Sequence, residues 1–164
     1  MVGAVRGSFG LVAVFLGVAA GGYLSVKLGK MRALYVGGAL QILGTAAYAV
    51  LPYAHDGVTF ALVMAGDNFG IAVAGITLVA YMSSLTSAGY TATQYAFLSS
   101  NYTWAGKVLK GFSGIAVQSL TAHMNLMQAY ALFFIGAGAI GIPAILLFAL
   151  LSSRQRAELS ARKT

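Results

Sequence analysis

The chain has 164 residues, of which 59% are hydrophobic and 8% are charged, and its mean hydropathy is +0.83. Soluble domains carry about 25% charged residues, so this composition excludes an ordinary soluble globular protein. The lack of cysteine excludes a disulfide scaffold and any cysteine-based metal or redox site. Ten basic residues against three acidic ones give a formal net charge of +7, and most of these charges lie at the ends of apolar runs. The charge therefore indicates membrane topology rather than nucleic-acid binding.

Five apolar segments follow one another, each about as long as the 20 residues that span a bilayer as a helix. They lie at residues 9–26, 34–51, 60–82, 96–120 and 130–151. This predicts an all-α integral membrane protein with a five-helix bundle over residues 1–152 and a basic tail over 153–164. Pro143 predicts a kink in the last helix. The first segment also has the small residues that follow the apolar core of a signal peptide, but a four-helix remainder would lose the symmetry of its basic loops.

Basic residues at two places predict the orientation of the bundle. The first connection contains Lys27, Lys30 and Arg32, and Lys and Arg are enriched in cytoplasmic loops. The tail contains Arg154, Arg156, Arg162 and Lys163. Both places are therefore predicted to be cytoplasmic, with the N-terminus and the loop of His55 and Asp56 on the outer side.

Glycines recur at the spacing that lets membrane helices approach closely. Gly17 with Gly21, and Gly66 with Gly70, are pairs of small residues four apart, which predicts helix–helix contacts there. The glycine-rich stretch 136–141 has the spelling of a dinucleotide-binding fingerprint, yet no strand precedes it. It is therefore predicted to be a packing face.

Asp67 stands about ten residues inside an apolar segment, about 10 to 15 Å from the outer boundary of the bilayer. A charge at that depth costs at least a few kcal/mol unless it faces a partner or water. We therefore expect Asp67 to pair within the bundle, to titrate in a proton relay or to bind a ligand. The alternative is that the third helix begins later and leaves Asp67 near the interface.

The fourth segment carries polar and small residues in steps of three and four. They are Asn101, Trp104, Lys107, Gly111, Gly114 and Gln118. Such a stripe predicts the wall of a water-accessible cavity, with Trp104 and Tyr102 able to stack on a sugar or another flat ligand. We hypothesise that Lys107 and Asp67 approach each other or share a ligand. The alternative is that Lys107 and Lys110 extend to an interface.

Sequence motifs do not support an enzyme. A nucleophile elbow, a phosphate-binding loop and a zinc motif are all absent from the sequence. His55 and His123 have no second ligand at a metal-binding spacing and are expected to be solvated loop residues. We therefore expect no cofactor and no bound metal.

The first connection, residues 22–32, resembles the glycine-rich basic loop between the second and third helices of each half of major facilitator superfamily transporters. Val26 stands where that pattern commonly has Asp. The resemblance implies that the five segments correspond to helices eight to twelve of a twelve-helix transporter. It then also implies that the chain is a C-terminal fragment and that its partner is the N-terminal half.

Three stretches resemble one branch of that superfamily, the AmpG-type muropeptide permeases. They are Asp67-Asn68-Phe-Gly70, residues 80–100 with Ala-Thr-Gln94-Tyr-Ala, and residues 106–111. The resemblance implies proton-driven import of anhydro-sugar muropeptides across the inner membrane of a Gram-negative bacterium, for cell-wall recycling. The implied residues of the cavity wall or proton-coupling site are Asp67, Asn68, Gln94, Asn101, Trp104 and Lys107. Acetyl-CoA transporters are also similar.

Two other functions remain open for such a chain. A membrane anchor or assembly subunit would use its buried polar groups only to hold helices together. A small homo-oligomeric carrier would build both cavity walls from two copies, although an internal repeat is missing. As a transporter fragment, the chain is expected to be inactive without the N-terminal half.

Overall fold

The computed structural model describes residues 2–54, 56–86 and 91–161, and every regular element in these ranges is helical. The helices are α1 Val2–Lys27, α2 Lys30–Ala47 with a 3-10 turn at Tyr48–Val50, α3 Gly57–Leu85, α4 Thr91–Gly111, α5 Ser113–Thr121, α6 Leu126–Ala139 and α7 Ile142–Ala161. The predicted all-α class is confirmed. His55, Arg162 and Lys163 lie outside the described residues.

Four stretches of the described chain are long and apolar enough to cross a membrane. They are Phe9–Lys27, Lys30–Val50, Gly57–Leu85 and Leu126–Leu150. The predicted segment 96–120 is not among them, because α4 carries the polar stripe and α5 is short. The chain is thus a multi-pass membrane protein in which the fourth predicted span differs from the other four.

Two predicted helices are interrupted in the structure. The segment 96–120 begins earlier, at Thr91, and breaks at Phe112, whose N–H donates to the Leu109 carbonyl oxygen three residues back, at 3.2 Å. The segment 130–151 begins at Leu126 and breaks before α7. Pro143 lies in the first turn of α7, where a missing N–H costs nothing. The predicted last helix is therefore divided into two helices at Ile140 and Gly141, just before this proline.

Capping side chains fix where two helices begin. Asp56 precedes α3 and its Oδ1 accepts a hydrogen bond from Thr59 N at 2.7 Å. Asn125 precedes α6 and its Oδ1 accepts from Gln128 N at 2.9 Å. Each side chain satisfies a backbone donor that the first helical turn leaves unpaired. Both helices therefore start a few residues before the apolar runs that predicted them.

Helix α3 is the centre of the bundle and packs between α1 and α2. A Cβ at Gly17 of α1 would lie 2.7 Å from the Phe69 carbonyl oxygen. On the other side, a Cβ at Gly70 of α3 would lie 2.8 Å from the Leu40 carbonyl oxygen. Side chains are thus excluded from both contacts, as in close helix pairs of membrane proteins. The contact predicted for Gly66 is wrong, since a Cβ there would meet nothing within 4 Å.

The opposite face of α2 packs against α6 and α7. A Cβ at Gly138 would lie 3.2 Å from the Ile42 carbonyl oxygen, and one at Gly141 would meet the Ile42 side chain. The predicted packing face over 136–141 is therefore present at these two positions, whereas Gly136 faces open space.

Helix α4 lies at the edge of the bundle and contacts mainly its neighbours along the chain, α3 and α5. Large apolar and aromatic side chains of this helix are exposed, among them Phe97, Tyr102 and Leu109. The short α5 packs against α6. Most of the polar stripe predicted from the sequence therefore lies on a helix with few tertiary contacts.

Substitution of two glycines on α3 tests the close contact with α2. We expect Gly70→Ala to lower the free energy of unfolding by about 1–3 kcal/mol, because the added methyl group meets the α2 backbone. The matched control Gly66→Ala adds the same group one turn away in open space, where the better helix propensity of Ala makes it neutral or stabilising. Unfolding by sodium dodecyl sulfate in mixed micelles measures both, and equal effects would contradict the packing.

The N-terminus of α3 gives a pH-dependent prediction. The hydrogen bonds from Thr59 hold the pKa of the exposed Asp56 carboxyl below its usual 3.8. A lowered folded-state pKa means that the cap stabilises the fold fully above the usual value and loses this contribution as the pH falls through the folded-state value. We therefore expect Asp56→Ala to lower the Tm at neutral pH and to have little effect in strong acid.

The uncharged cap Asn125 provides the control for this measurement. Asn125→Ala removes the same kind of hydrogen bond at the start of α6, so its effect on Tm should not change over that pH range. Thermal unfolding of both variants in detergent, followed by circular dichroism across the pH range, gives the comparison. A pH-independent effect of Asp56→Ala would show that the carboxylate charge does not contribute.

Candidate functional site

A cluster of polar side chains surrounds Asp67 where α3 meets α2. Asp67 lies ten residues beyond the start of α3, and its Oδ1 accepts a hydrogen bond from Thr45 Oγ1 at 3.4 Å. The Tyr48 side chain also hydrogen-bonds to the Asp67 carboxylate. Gln41 Nε2 donates to Thr45 Oγ1 at 3.1 Å. These four residues, Gln41, Thr45, Tyr48 and Asp67, form what we call the Asp67 cluster.

Helical periodicity places the three α2 side chains of this cluster on one face. Gln41, Thr45 and Tyr48 are four and three residues apart, so they project to the same side of the helix. Gly44 lets the two backbones approach at this level, because a Cβ there would lie 2.9 Å from Asp67 Cα. Neutral hydroxyl groups hold the carboxyl, and the expectation that Asp67 pairs within the bundle is met by hydrogen bonds rather than by a cation.

Asn68 turns to the other neighbour of α3. Its Nδ2 donates to the Met64 carbonyl oxygen at 2.8 Å, and a Cβ at Gly10 of α1 would lie 3.3 Å from the same nitrogen. Consecutive residues of a helix point about 100° apart, so Asp67 and Asn68 enter different interfaces. The α3 part of the predicted site is thus divided between α2 and α1.

The remaining predicted site residues lie together on α4. Gln94, Asn101, Trp104 and Lys107 are all exposed, and Trp104 is 69% exposed. Asn101 Nδ2 donates to the Phe97 carbonyl oxygen at 2.9 Å, one turn back. Tyr102, the second aromatic side chain expected to stack on a ligand, is exposed as well. These side chains form an open surface, which a facing partner is needed to close into a cavity.

The structure does not bring Lys107 and Asp67 together in direct contact. No ion pair joins these two residues within the part of the chain that the structure describes. Asp67 points into the α2 interface, whereas Lys107 is exposed on a helix that contacts mainly its neighbours along the chain. The position of Asp67 inside an apolar segment indicates that its carboxyl group needs a partner, but it does not indicate which helix supplies that partner.

Two open pockets adjoin the cluster and α4. A groove of about 610 Å³ lies between α4–α5 and α6 and is lined mainly by apolar side chains, including Leu109, Phe112 and Phe133. A smaller pocket of about 290 Å³ lies between the end of α2 and the start of α6, with Tyr48 and Phe134 in its wall. The Tyr48 and Phe134 rings stack there with their centroids 5.1 Å apart.

The basic turn between α1 and α2 lies at the opposite end of the bundle from this smaller pocket. Lys27, Lys30 and Arg32 are exposed, and Lys27 Nζ donates to Tyr23 Oη at 2.8 Å. Gly29 adopts φ +82, a left-handed conformation that favours glycine in so tight a turn. Exposed charged side chains grouped at one end of a membrane bundle are typical of residues in the aqueous layer beside the membrane.

The described ranges contain no candidate metal-binding site. Groups of three or more His, Cys, Asp or Glu side chains do not occur there. His123 is exposed in the connection before α6.

Sequence reasoning identified Asp67 and missed the side chains that contact it. Gln41, Thr45 and Tyr48 carried a usable signal, because polar side chains at steps of four and three on an apolar helix mark one polar face.

Comparison with known proteins gives relatives of one kind. The chain is 30% identical to "Putative transporter AmpG 3" of Rickettsia typhi over 115 residues, which are 70% of this chain and 27% of that protein. It is 28% identical to "Putative transporter AmpG 4" of Rickettsia felis over 149 residues, 89% of this chain and 34% of that protein. No protein-family model and no solved structure matches the chain.

The matches concern only a part of each relative. The chain spans about 27% to 34% of the length of these curated proteins. Their names describe transporters. The chain is a multi-pass membrane protein related in sequence to AmpG transporters.

Proposed function

We propose that the chain is the C-terminal part of an inner-membrane secondary transporter that imports anhydromuropeptides, driven by protons, for cell-wall recycling. The observation that carries this proposal is the similarity of 70% of the chain to a protein named as an AmpG transporter. A carboxyl group inside an apolar helix supports it, because ionisable residues within membrane helices mark ion and proton pathways. The cluster around Asp67 supplies such a group.

The proposed position corresponds to helices eight to twelve of a major facilitator transporter. In transporters built from repeats, the substrate lies between two halves near the middle of the bilayer. The exposed polar and aromatic surface of α4 is of the kind that such a second half covers. The proposed partners are therefore the N-terminal half, the lipid bilayer, a sugar-peptide substrate and protons.

Different roles are proposed for the two groups of predicted site residues. On α4, Trp104 and Asn101 would contact the sugar by stacking and hydrogen bonding, Gln94 would extend this surface, and the Lys107 ammonium would pair with a peptide carboxylate. These four side chains are all exposed on one helix. On α3, the Asp67 carboxyl would take up the coupling proton.

Asn68 completes the proposed α3 contribution, because its amide lies against Gly10 of α1 while it donates to the Met64 carbonyl oxygen of its own helix. The proposed topology places the basic turn of Lys27, Lys30 and Arg32 and the basic tail in the cytoplasm, and the N-terminus outside. Four of the crossings are the apolar spans, and α4–α5 would provide the fifth inside the assembled transporter.

A second candidate function follows from the Asp67 cluster itself. A membrane anchor or assembly subunit would use a hydrogen-bonded carboxyl only to join helices, and the contacts of Asp67 with Thr45 and Tyr48 join α3 to α2 in this way. Polar side chains that cross a helix interface stabilise membrane bundles by about 0.6 to 2 kcal/mol each. This candidate predicts that the cluster contributes to stability and not to transport.

Reconstitution tests the transport proposal directly. Proteoliposomes that contain this chain alone are expected to show no proton-driven uptake of a labelled anhydromuropeptide. Those that also contain the N-terminal part of the Rickettsia typhi relative are expected to take it up. In the two-part transporter, Asp67→Asn should lower proton-driven flux at least about tenfold, and Lys107→Gln should raise the KM.

Lys110→Gln is the matched control, because it removes a lysine one turn away that is not part of the α4 stripe. Its KM should stay within about twofold of the unmodified transporter. Coupled flux by the chain alone would contradict the fragment assignment. Unchanged flux in Asp67→Asn would contradict the coupling role.

A double-mutant cycle tests the packing function. We expect Thr45→Val and Asp67→Ala to show a coupling energy of about 0.5–1.5 kcal/mol in the free energy of unfolding, because their side chains hydrogen-bond across the α2–α3 interface. Thr103→Val is the control, since the Thr103 hydroxyl donates to the Ser99 carbonyl oxygen of its own helix at 2.8 Å. Coupling of Thr103 to Asp67 as strong as that of Thr45 would contradict the cluster.

A further inference from the structure

The small pocket at one end of α2 has not been assigned a role. It is open to the surface, has a volume of about 290 Å³ and lies between the end of α2 and the start of α6. Leu51 and Pro52 line it from the connection after α2, and Met127 and Tyr130 line it from α6. This is the end of the bundle that holds the exposed Asp56, so the pocket lies beside an aqueous connection.

Tyr48 belongs both to this pocket and to the Asp67 cluster. Tyr48 lines the pocket, and its ring stacks on Phe134 with the centroids 5.1 Å apart. Its side chain also hydrogen-bonds to the Asp67 carboxylate. One residue therefore connects a surface pocket with a carboxyl group inside α3. The stacking contact holds the ring in the orientation that this connection requires.

The groups that face Asp67 from the neighbouring helices are few. From α2 they are the titratable Tyr48 and the neutral Thr45, with Gln41 behind Thr45. Helix α1 presents Gly10 at this level, and its residues 9–20 include no charged side chain. On α4, Lys107 makes no ion pair with Asp67 within the described residues. The hydroxyl of Tyr48 is thus the group that leads from Asp67 towards water.

We propose that this pocket is the aqueous access to Asp67 and that Tyr48 relays a proton from pocket water to the carboxylate. A phenolic hydroxyl both donates and accepts hydrogen bonds. It gives its own proton to the carboxylate while its oxygen takes one from a hydronium ion in the pocket. Asp67 thereby becomes protonated, water is left in the pocket, and Tyr48 is unchanged.

This inference deepens the proposed function and rests on it, because the proton is useful to Asp67 only in a transporter whose coupling site is reached from water. The proton then reaches Asp67 through the pocket and Tyr48, and the substrate binds at the surface of α4. The inference also gives Thr45 and Gln41 a positioning role, because Thr45 donates a hydrogen bond to the carboxyl and Gln41 donates one to Thr45.

Two carbodiimides test the access route without any transport assay. A water-soluble carbodiimide reaches a carboxyl through water, whereas dicyclohexylcarbodiimide reaches it from the lipid, and both react with the protonated acid. In the full chain in nanodiscs, mass spectrometry of the Asp67 peptide gives both reaction rates, with Asp67→Asn as the blank. The chain has no cysteine, so Met127→Cys places a single thiol in the pocket wall for attachment of a bulky maleimide.

We expect the maleimide at Met127→Cys to lower the rate of the water-soluble reagent at least about tenfold, a change worth about 1.4 kcal/mol in barrier. The rate of dicyclohexylcarbodiimide should change less than about twofold in the same sample. Leu109→Cys carries the same maleimide in the groove between α4–α5 and α6 and is the control. Equal loss at both positions, or no loss at Met127→Cys, would overturn the access route.

A second pair of variants tests the relay. Tyr48→Phe keeps the ring that stacks on Phe134 and removes the hydroxyl. We expect it to raise the rate of Asp67 labelling at neutral pH about tenfold, because loss of a hydrogen bond to the charged carboxylate favours the protonated acid with which the reagent reacts. Tyr130→Phe removes a hydroxyl from another residue of the pocket wall and should leave the rate within about twofold. Equal rates in the two variants would overturn the role of Tyr48.

The outcomes of these measurements separate the two proposals. If blocking the pocket slows Asp67 labelling, but the two-part transporter shows no uptake, the transport function is contradicted and the access route stands. If uptake requires Asp67, but neither the maleimide at Met127→Cys nor Tyr48→Phe changes the rate of Asp67 labelling, only the access route is overturned.

Discussion

The close approach of three helix backbones is the constraint on which the rest of this bundle depends. Apolar helices gain no hydrophobic free energy by leaving lipid for one another, so packing and interhelical hydrogen bonds hold them together. Helix α3 meets this requirement because Gly17 of α1 and Gly44 of α2 bring their backbones against it. The same approach places the Thr45 hydroxyl beside the Asp67 carboxylate. The tight packing and the polar cluster therefore have one structural origin.

Helix positions could be predicted to within a few residues where polar side chains bound an apolar run. The basic turn that contains Lys27 ends α1, and Asp56 and Asn125 start α3 and α6 as capping residues. The break at Phe112 was not foreseen, because Gly111 and Gly114 fitted the predicted stripe and gave no separate sign of a helix end. Glycine weakens a helix on any face, and an amphipathic pattern does not record that effect.

The site was predictable only as far as single residues allow. A carboxylate inside an apolar run is costly whatever surrounds it, so Asp67 could be identified from the sequence. Its partners depend on how α2 packs against α3, and the close approach at Gly44 is part of that packing. The expected partner Lys107 was chosen for its charge, but hydroxyl groups satisfy the carboxyl in the structure. Pairing between helices is a property of packing, which a pattern along one helix does not contain.

The glycine contacts also determine which parts of the molecule are able to move. Helices that touch through their backbones cannot slide without either opening a gap or forcing atoms together, so α1, α2 and α3 form one stiff block. Helix α4 is joined to that block mainly through its neighbours along the chain, and the helix is interrupted at Phe112. The bundle therefore consists of a rigid block of α1, α2 and α3 and of a helix, α4, that few contacts hold in place. Helix α4 carries Trp104 and Lys107, so a movement of α4 against the block would displace these side chains and leave the surroundings of Asp67 unchanged.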